Sequence, residues 1–183
     1  MTHPENPESR MRIISVLVEN KPRVLARVAG LFARRGFNIH SLAVAPTDNP
    51  ALSRMTIVAF GDDRTTEQMT KQLNKLINVI KVVELSESTA VSRELMLIQV
   101  QAAPETRAQL IEISDVFRAK VVDVGADSLI IECTGTPDKI HALEDLLRPY
   151  GIIEMTKTGR IALQRGPKVK PARVIRAANK ATA

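Results

Sequence analysis

The residues best suited to chemistry follow the first apolar run, RIISVLV, where the polar residues ENKP at positions 19–22 interrupt it. A helical pattern comes next, and Pro22 fits its first position. The free N–H groups of a helix N-terminus attract a carboxylate, and apolar side chains nearby contact the rest of a small ligand. The pattern therefore favours non-covalent binding of an amino acid, at a candidate set that comprises Asn20, Lys21, Pro22, Arg23, Val24 and Leu25.

A second candidate pair, Asn38 and Ile39, starts the apolar run that follows the first helical pattern. In a βαβ unit we expect the start of this strand to lie beside the loop that follows the first strand, close to Asn20. Asparagine is also a common turn and cap residue, so a purely structural role for Asn20 and Asn38 remains an open interpretation.

Catalytic and metal-binding chemistry has little support from the sequence. His3, His40 and His141 have no cysteine or carboxylate around them at the spacing of a zinc site. The single cysteine, Cys133, lies in an apolar strand pattern without a basic neighbour that would lower its pKa, so we interpret it as a buried apolar residue. The eight glycines form no GxGxxG motif or phosphate-binding loop. We therefore predict no catalytic residue and no metal site.

The basic excess of the chain is concentrated at its end. The formal net charge is +6, but seven Lys and Arg residues and no acid follow Gly159, which leaves the preceding sequence almost neutral. Aromatic residues make up 3% of the chain, too few for the base-stacking sheet of an RNA-binding domain. We predict no nucleic-acid function and interpret residues 167–183 as a flexible basic tail.

The sequence also gives no sign of a membrane segment or an export signal. Its apolar runs are shorter than the roughly 20 residues that a membrane helix needs. The first residues, MTHPENPESRMR, carry acids and prolines where a signal peptide has an apolar core. We expect a cytoplasmic protein, with residues 1–11 as a disordered N-terminus.

Apolar periodicity divides the remaining sequence into two units of the same order. In residues 12–85, the strand patterns RIISVLV, NIHSLAV, SRMTIVAF and KVVEL alternate with two helical stripes to give βαββαβ. The second of these helices is predicted from the capping-box spacing of Thr65 and Gln68, and its stripe continues to Ile77 and Ile80, with Ile80 at the junction between helix and strand.

A polar linker, residues 86–93, is expected before the second unit, residues 94–166. Its strand patterns are ELMLIQV, KVVDV, SLIIECT, GIIEMTK and RIALQR, and its helices open at Pro104 and after Thr136. The sequence therefore predicts an α+β protein with two ferredoxin-like βαββαβ domains in tandem, each an antiparallel sheet with two helices on one face. The second domain has one additional strand.

The segment ENKPRVLARVAGLFARRGFNIHSLAVAPTDNPALSRMTI resembles the ACT domain of the small, regulatory subunits of acetolactate synthase, also called acetohydroxyacid synthase. The resemblance continues through KQLNKLINVIKVVEL, SRELMLIQV, FRAKVVDV and LQRGP, so it covers nearly the whole chain before the tail. It implies an ACT domain at residues 12–85 and the C-terminal domain of a small subunit at residues 94–166.

The resemblance implies a non-catalytic subunit that binds the catalytic large subunit, raises its activity and makes it sensitive to feedback by valine or another branched-chain amino acid. It implies no cofactor on this chain, and thiamine diphosphate, Mg and FAD on the large subunit. ACT domains of this family pair as homodimers, with the effector between the loop after the first strand of one protomer and its neighbour. Carried over, the loop residues are Asn20, Pro22, Val24 and Leu25, and the facing residues are Asn38 and Ile39.

One position departs from the family pattern. Where the family loop usually reads Asn-x-x-Gly, this chain has Arg23. Glycine permits a positive φ and a close approach of ligand to backbone, whereas arginine adds bulk and charge. The guanidinium either contacts the carboxylate of the effector or fills the pocket.

The alternative function is a stand-alone amino-acid-sensing ACT module that controls another enzyme or transcription.

Overall fold

The computed structural model describes residues 10–166. The elements of the first unit are β1 (Arg10–Glu19), α1 (Val24–Arg35), β2 (Ile39–Pro46), β3 (Leu52–Gly61), α2 (Asp63–Leu73) and β4 (Val79–Leu85). Those of the second are β5 (Ala90–Gln101), α3 (Pro104–Val116), β6 (Lys120–Val124), β7 (Ser128–Gly135), α4 (Pro137–Leu147), β8 (Ile152–Lys157) and β9 (Ile161–Gln164), with a 3-10 turn, Arg148–Tyr150, after α4. The predicted α+β fold of two βαββαβ units is confirmed.

The two termini differ in what the structure describes. The predicted basic tail and residues 1–9 of the predicted disordered N-terminus lie outside the described residues. Arg10 and Met11, however, already belong to β1 and pair with Gly61 and Phe60 of β3. No helix within residues 10–166 is long and apolar enough to cross a membrane.

The first sheet has the strand order β2-β3-β1-β4, with antiparallel pairing throughout. Alternate residues of β1 point to opposite faces, and Ile14, Val16 and Val18 pack against α1 and α2. Met55 and Ile57 of β3 join the same core. The second sheet has the order β6-β7-β5-β8, and Met96, Ile98 and Val100 of β5 form the equivalent core with α3 and α4.

Half of the expected linker, residues 86–93, is strand. Only residues 86–89 form a turn, in which Thr89 N–H donates a hydrogen bond to Ser86 O at 3.1 Å. Residues 90–93 begin β5 and pair with β9. The polar sequence misleads here because Ala90 contributes its small side chain to a third core, which it shares with Ile13, Leu85 and Ala162.

Three local predictions about helix ends are wrong. Pro22 lies in a turn, and α1 begins at Val24. The N-cap of α2 is Asp62 rather than Thr65, because the Asp62 carboxylate accepts a hydrogen bond from Thr65 N–H at 2.7 Å. The same helix ends at Leu73, so the later residues of the predicted stripe are not helical. Ile77 is 91% exposed in the connection, and Ile80 lies in β4.

Candidate ligand-binding loop

The loop between β1 and α1 is held by the β2–β3 turn. Asn20 N–H donates to Ala51 O at 2.7 Å, and the Asn20 side-chain amide nitrogen donates to Pro50 O at 2.9 Å. Both carbonyls belong to the turn that follows Pro46. Asn20 therefore has the structural role that turn asparagines often have, and its amide oxygen is the part of the side chain that can still accept a hydrogen bond from a ligand.

The chain enters α1 through a turn with left-handed backbone at Arg23. Val24 N–H lies 3.4 Å from Lys21 O, and Arg23 has φ 70° and ψ −3°. This is the geometry of a type II turn with proline at its second position and a residue of positive φ at its third. Pro22 therefore precedes the helix, because its ring fixes the φ that the turn requires. A glycine at position 23 would adopt this backbone without strain.

The first turn of α1 is open to an anion. Among the described residues no side chain caps this helix start, and the first turn contains no acidic residue. Its free N–H groups and the positive end of the helix dipole favour a carboxylate. Leu25 is 44% exposed beside them, whereas Val24 is 4% exposed and packs in the core. Leu25 is thus available to a ligand side chain, whereas the Val24 N–H is already directed at Lys21 O.

A polar network outside the predicted set positions this loop. Asn78, just before β4, donates through its side-chain nitrogen to the Glu19 carboxylate at 2.5 Å and accepts from the Arg27 guanidinium at 2.9 Å. Lys21 Nζ lies 3.1 Å from the same carboxylate. The hydrogen bond from Asn78, together with Lys21, lowers the pKa of Glu19. Sequence reasoning missed Asn78 and Arg27, because no pattern links residues so far apart.

Asn38 and Ile39 lie at the opposite end of the same sheet. Ile39 pairs with Ala59, which pairs on its other side with Arg12, near the start of β1. The loop follows Glu19, seven residues further along β1, so about 23 Å of strand separates the two places. The expected adjacency within one chain is wrong. β1 and β2 both run antiparallel to β3, so they start at the same end of the sheet, and the loop after β1 lies at the other end.

Within residues 10–166, no group of three His, Cys, Asp or Glu side chains has the arrangement of a metal site. Cys133 is buried in the second core, as predicted, and its burial raises the pKa of the thiol. His40 packs edge-on against Phe60, with 5.5 Å between the ring centroids.

Comparison with known proteins identifies both units. A family model described as an AHAS small subunit-like ACT domain matches residues 14–81. A second model, described as the small subunit of acetolactate synthase, matches residues 93–166. The fold and the loop therefore define a two-domain protein with an N-terminal ACT domain, which is a regulatory module.

Relatives of similar length share this organisation. The chain is 60% identical over 155 residues to a probable acetolactate synthase small subunit of Archaeoglobus fulgidus, covering 85% of this chain and 97% of the relative. It is 59% identical over 155 residues to the acetolactate synthase small subunit of Mycolicibacterium smegmatis, covering 85% and 91%. The crystal structure of the small subunit from Thermotoga maritima matches with 40% identity and a TM-score of 0.81, covering 87% and 99%.

The chain therefore belongs to the family of acetolactate synthase small subunits. The family name places it in branched-chain amino-acid biosynthesis, as the regulatory partner of a catalytic large subunit.

Proposed function

We propose that this chain activates the acetolactate synthase large subunit without contributing catalytic residues, and that valine or another branched-chain amino acid reverses the activation. Thiamine diphosphate, Mg and FAD would all be bound by the large subunit. The observation that carries the proposal is the uncapped first turn of α1: free N–H groups, the Asn20 amide oxygen and exposed Leu25 all occur in the short stretch from the end of β1 into this turn. These groups suit a carboxylate, an ammonium group and an aliphatic side chain in that order.

Pairing of two copies through β2 would complete the site. β2 is an edge strand of its sheet, with β3 on one side only among the described strands. In an antiparallel pair of β2 strands related by a two-fold axis, the start of one strand lies beside the end of the other. The end of β2 leads to the turn that holds Asn20. The partner subunit's Asn38 and the partner subunit's Ile39 would therefore approach the loop of the first protomer.

The same turn offers a route from the effector to the second domain. It is continuous with β3, whose Thr56 contacts β9 through a hydrogen bond from Ala162 N–H. An effector that favours one arrangement of the paired ACT domains would bias the position of β9 and of the second domain, to which β9 belongs. Because coupling is reciprocal, binding of the large subunit must alter the affinity for the effector by the same factor.

The direct test measures acetolactate formation by the large subunit of the same organism, titrated with this chain with and without valine. A rise in rate that valine reverses supports both parts of the proposal. A rise that valine, leucine and isoleucine leave unchanged keeps the activating role and removes the feedback role. No rise, with valine binding retained, favours the alternative of a stand-alone amino-acid-sensing module.

A further inference from the structure

A cleft of about 700 Å³ lies between the two domains, on a different part of the molecule from the effector loop. The ACT domain contributes residues of β2 and β3, and the second domain contributes residues of β5, of β9 and of the corner before β9. None of the effector-loop residues lines it. The lining comprises Leu42, Ala43, Val44, Ala45, Arg54, Thr56, Val91, Arg93, Thr158, Ile161, Ala162 and Leu163.

The cleft combines an apolar wall with two cations and no acid. Arg54 Nη1 donates to Ser15 Oγ at 3.1 Å, and Arg93 Nη1 donates to Ser92 O at 2.7 Å. Neither guanidinium has a carboxylate within ion-pair distance among the described residues, so each keeps donors for an anion. Ligand cavities of several hundred Å³ with a few placed polar groups are typical of small-molecule sites.

We propose that this cleft binds an aliphatic carboxylate that lacks an α-ammonium group. The carboxylate pairs with Arg54 and Arg93, and the aliphatic chain packs on Ala43, Ile161 and Leu163. A zwitterionic amino acid is disfavoured, because the lining holds no carboxylate for its ammonium group and two guanidinium groups repel it. The site thus selects a ligand class different from that proposed for the loop.

Because the cleft lies between the two domains, a bound ligand affects how they are arranged. It touches β2 and β3 on one side and β5 and β9 on the other, so its full contacts exist only when the two domains are docked as they are here. A ligand that binds one arrangement preferentially raises the population of that arrangement. An aliphatic carboxylate therefore holds β9 against the ACT sheet through contacts that the effector loop does not make.

Isothermal titration calorimetry of the full chain tests the proposal with three probes of the same chain length: hexanoate, its neutral amide hexanamide, and norleucine. We expect saturable binding of hexanoate, and binding of the other two at least about tenfold weaker, since each loses charge-assisted hydrogen bonds or adds a repelled cation. Arg54→Gln and Arg93→Gln should each weaken hexanoate binding about tenfold or more. Arg64→Gln, an exposed arginine of α2, is the matched control and should leave it unchanged.

Two further variants separate this site from the alternatives. Ala43→Phe fills the cleft without altering a charge and should abolish hexanoate binding. Arg54 lies outside the effector loop, so Arg54→Gln should still bind valine in the same calorimeter, and failure of the effector proposal and failure of this one are distinguishable.

The proposal is overturned if hexanoate gives no saturable heat up to about 10 mM, roughly ten times the Kd of a weak, 1 mM site. It is equally overturned if norleucine or hexanamide binds as tightly as hexanoate, or if Arg64→Gln weakens binding as much as Arg54→Gln. If hexanoate fails to bind the unaltered chain, the ligand proposal is wrong, and a changed sedimentation of Ala43→Phe would then assign the cleft to an interface between two copies.

Discussion

Ala162 N–H donates a hydrogen bond to Thr56 Oγ1 at 3.4 Å, and this contact joins β9 of the second domain to the centre of the ACT sheet. Thr56 pairs with Ser15 on the sheet face opposite to the helices, and both are buried. Ala162 itself is 4% exposed, and its small side chain allows the close approach. The uncovered face that a lone ferredoxin-like sheet would leave in water is thus partly closed by a strand of the next domain.

Gly159, just before β9, lies close to Ser41 of β2, and its replacement should open the junction between the two domains. A Cβ at Gly159 would lie 2.9 Å from the Cβ of Ser41, and the backbone there has φ +73°. We expect Gly159→Ala to lower the free energy of unfolding by about 1 kcal/mol for the positive φ and about 1–3 kcal/mol more for the overlap. Denaturant unfolding measures the sum.

Gly36→Ala is the matched control for this change. Gly36 has nearly the same backbone, φ +69°, but an added Cβ meets no atom within 4 Å. Gly36→Ala should therefore lower the free energy of unfolding only by the roughly 1 kcal/mol that the positive φ costs. The double variant Gly159→Ala, Ser41→Gly should recover the overlap part, and failure to recover any stability would show that the contact between these two residues is unimportant.

The order of elements could be predicted because each depends on local sequence. Period-two and helical apolar patterns predicted all nine strands and four helices of residues 10–166, and the loop at Asn20 followed from adjacent residues. The pairing of residues 90–93 with β9 could not be predicted, because β9 lies far from these residues along the chain. Local signals gave no warning of it.

The candidate site was predicted only where it is contiguous. The loop residues from Asn20 to Leu25 form one turn, so their proximity follows from the sequence. The place of Asn38 depends on the direction of β2 in the sheet, which the local pattern does not state. Asn38 lies at the end of the sheet opposite to the loop. The Asn78 contact to Glu19 was missed for a related reason, because it depends on how α2 ends.

Glu144 joins α4 to β8 and should contribute to acid stability. Its carboxylate lies 2.7 Å from Lys157 Nζ and 2.8 Å from Arg148 Nη2, and its side chain is 10% exposed. The hydrogen bond from Lys157 lowers the pKa of Glu144 below its ordinary value of 4.5. The lowered pKa means that this stabilisation is complete above pH 4.5 and is lost as the pH falls through the folded-state pKa.

Glu144→Gln should therefore lower the free energy of unfolding by about 1–2 kcal/mol at neutral pH, because Lys157 and Arg148 lose their charge-assisted bonds to a buried carboxylate. It should also flatten the decline of stability below pH 4.5, measured by urea unfolding across the acid range. Glu67→Gln removes an equally short but exposed pair with Lys71, at 2.7 Å, and should change stability little. Equal effects of the two variants would contradict a role for burial.

Arg23 has a left-handed backbone at the entrance to the effector loop, and Arg23→Gly should change both stability and binding. Relief of the positive φ raises the free energy of unfolding by up to about 1 kcal/mol, after the greater unfolded-state entropy of glycine is subtracted. Glycine also lets a ligand approach the backbone at position 23 more closely, so valine affinity by calorimetry should rise about three- to tenfold.

Arg118→Gly separates the two effects of that change. Arg118 is the other non-glycine residue of positive φ among the described residues, at φ 48°, and it lies after α3 in the second domain. Its replacement should stabilise the chain for the same backbone reason while valine affinity stays unchanged. If Arg23→Gly instead weakens valine binding, the guanidinium itself contacts the carboxylate of the effector, and Arg23→Lys should then retain part of the affinity because it keeps the charge but loses the bidentate geometry.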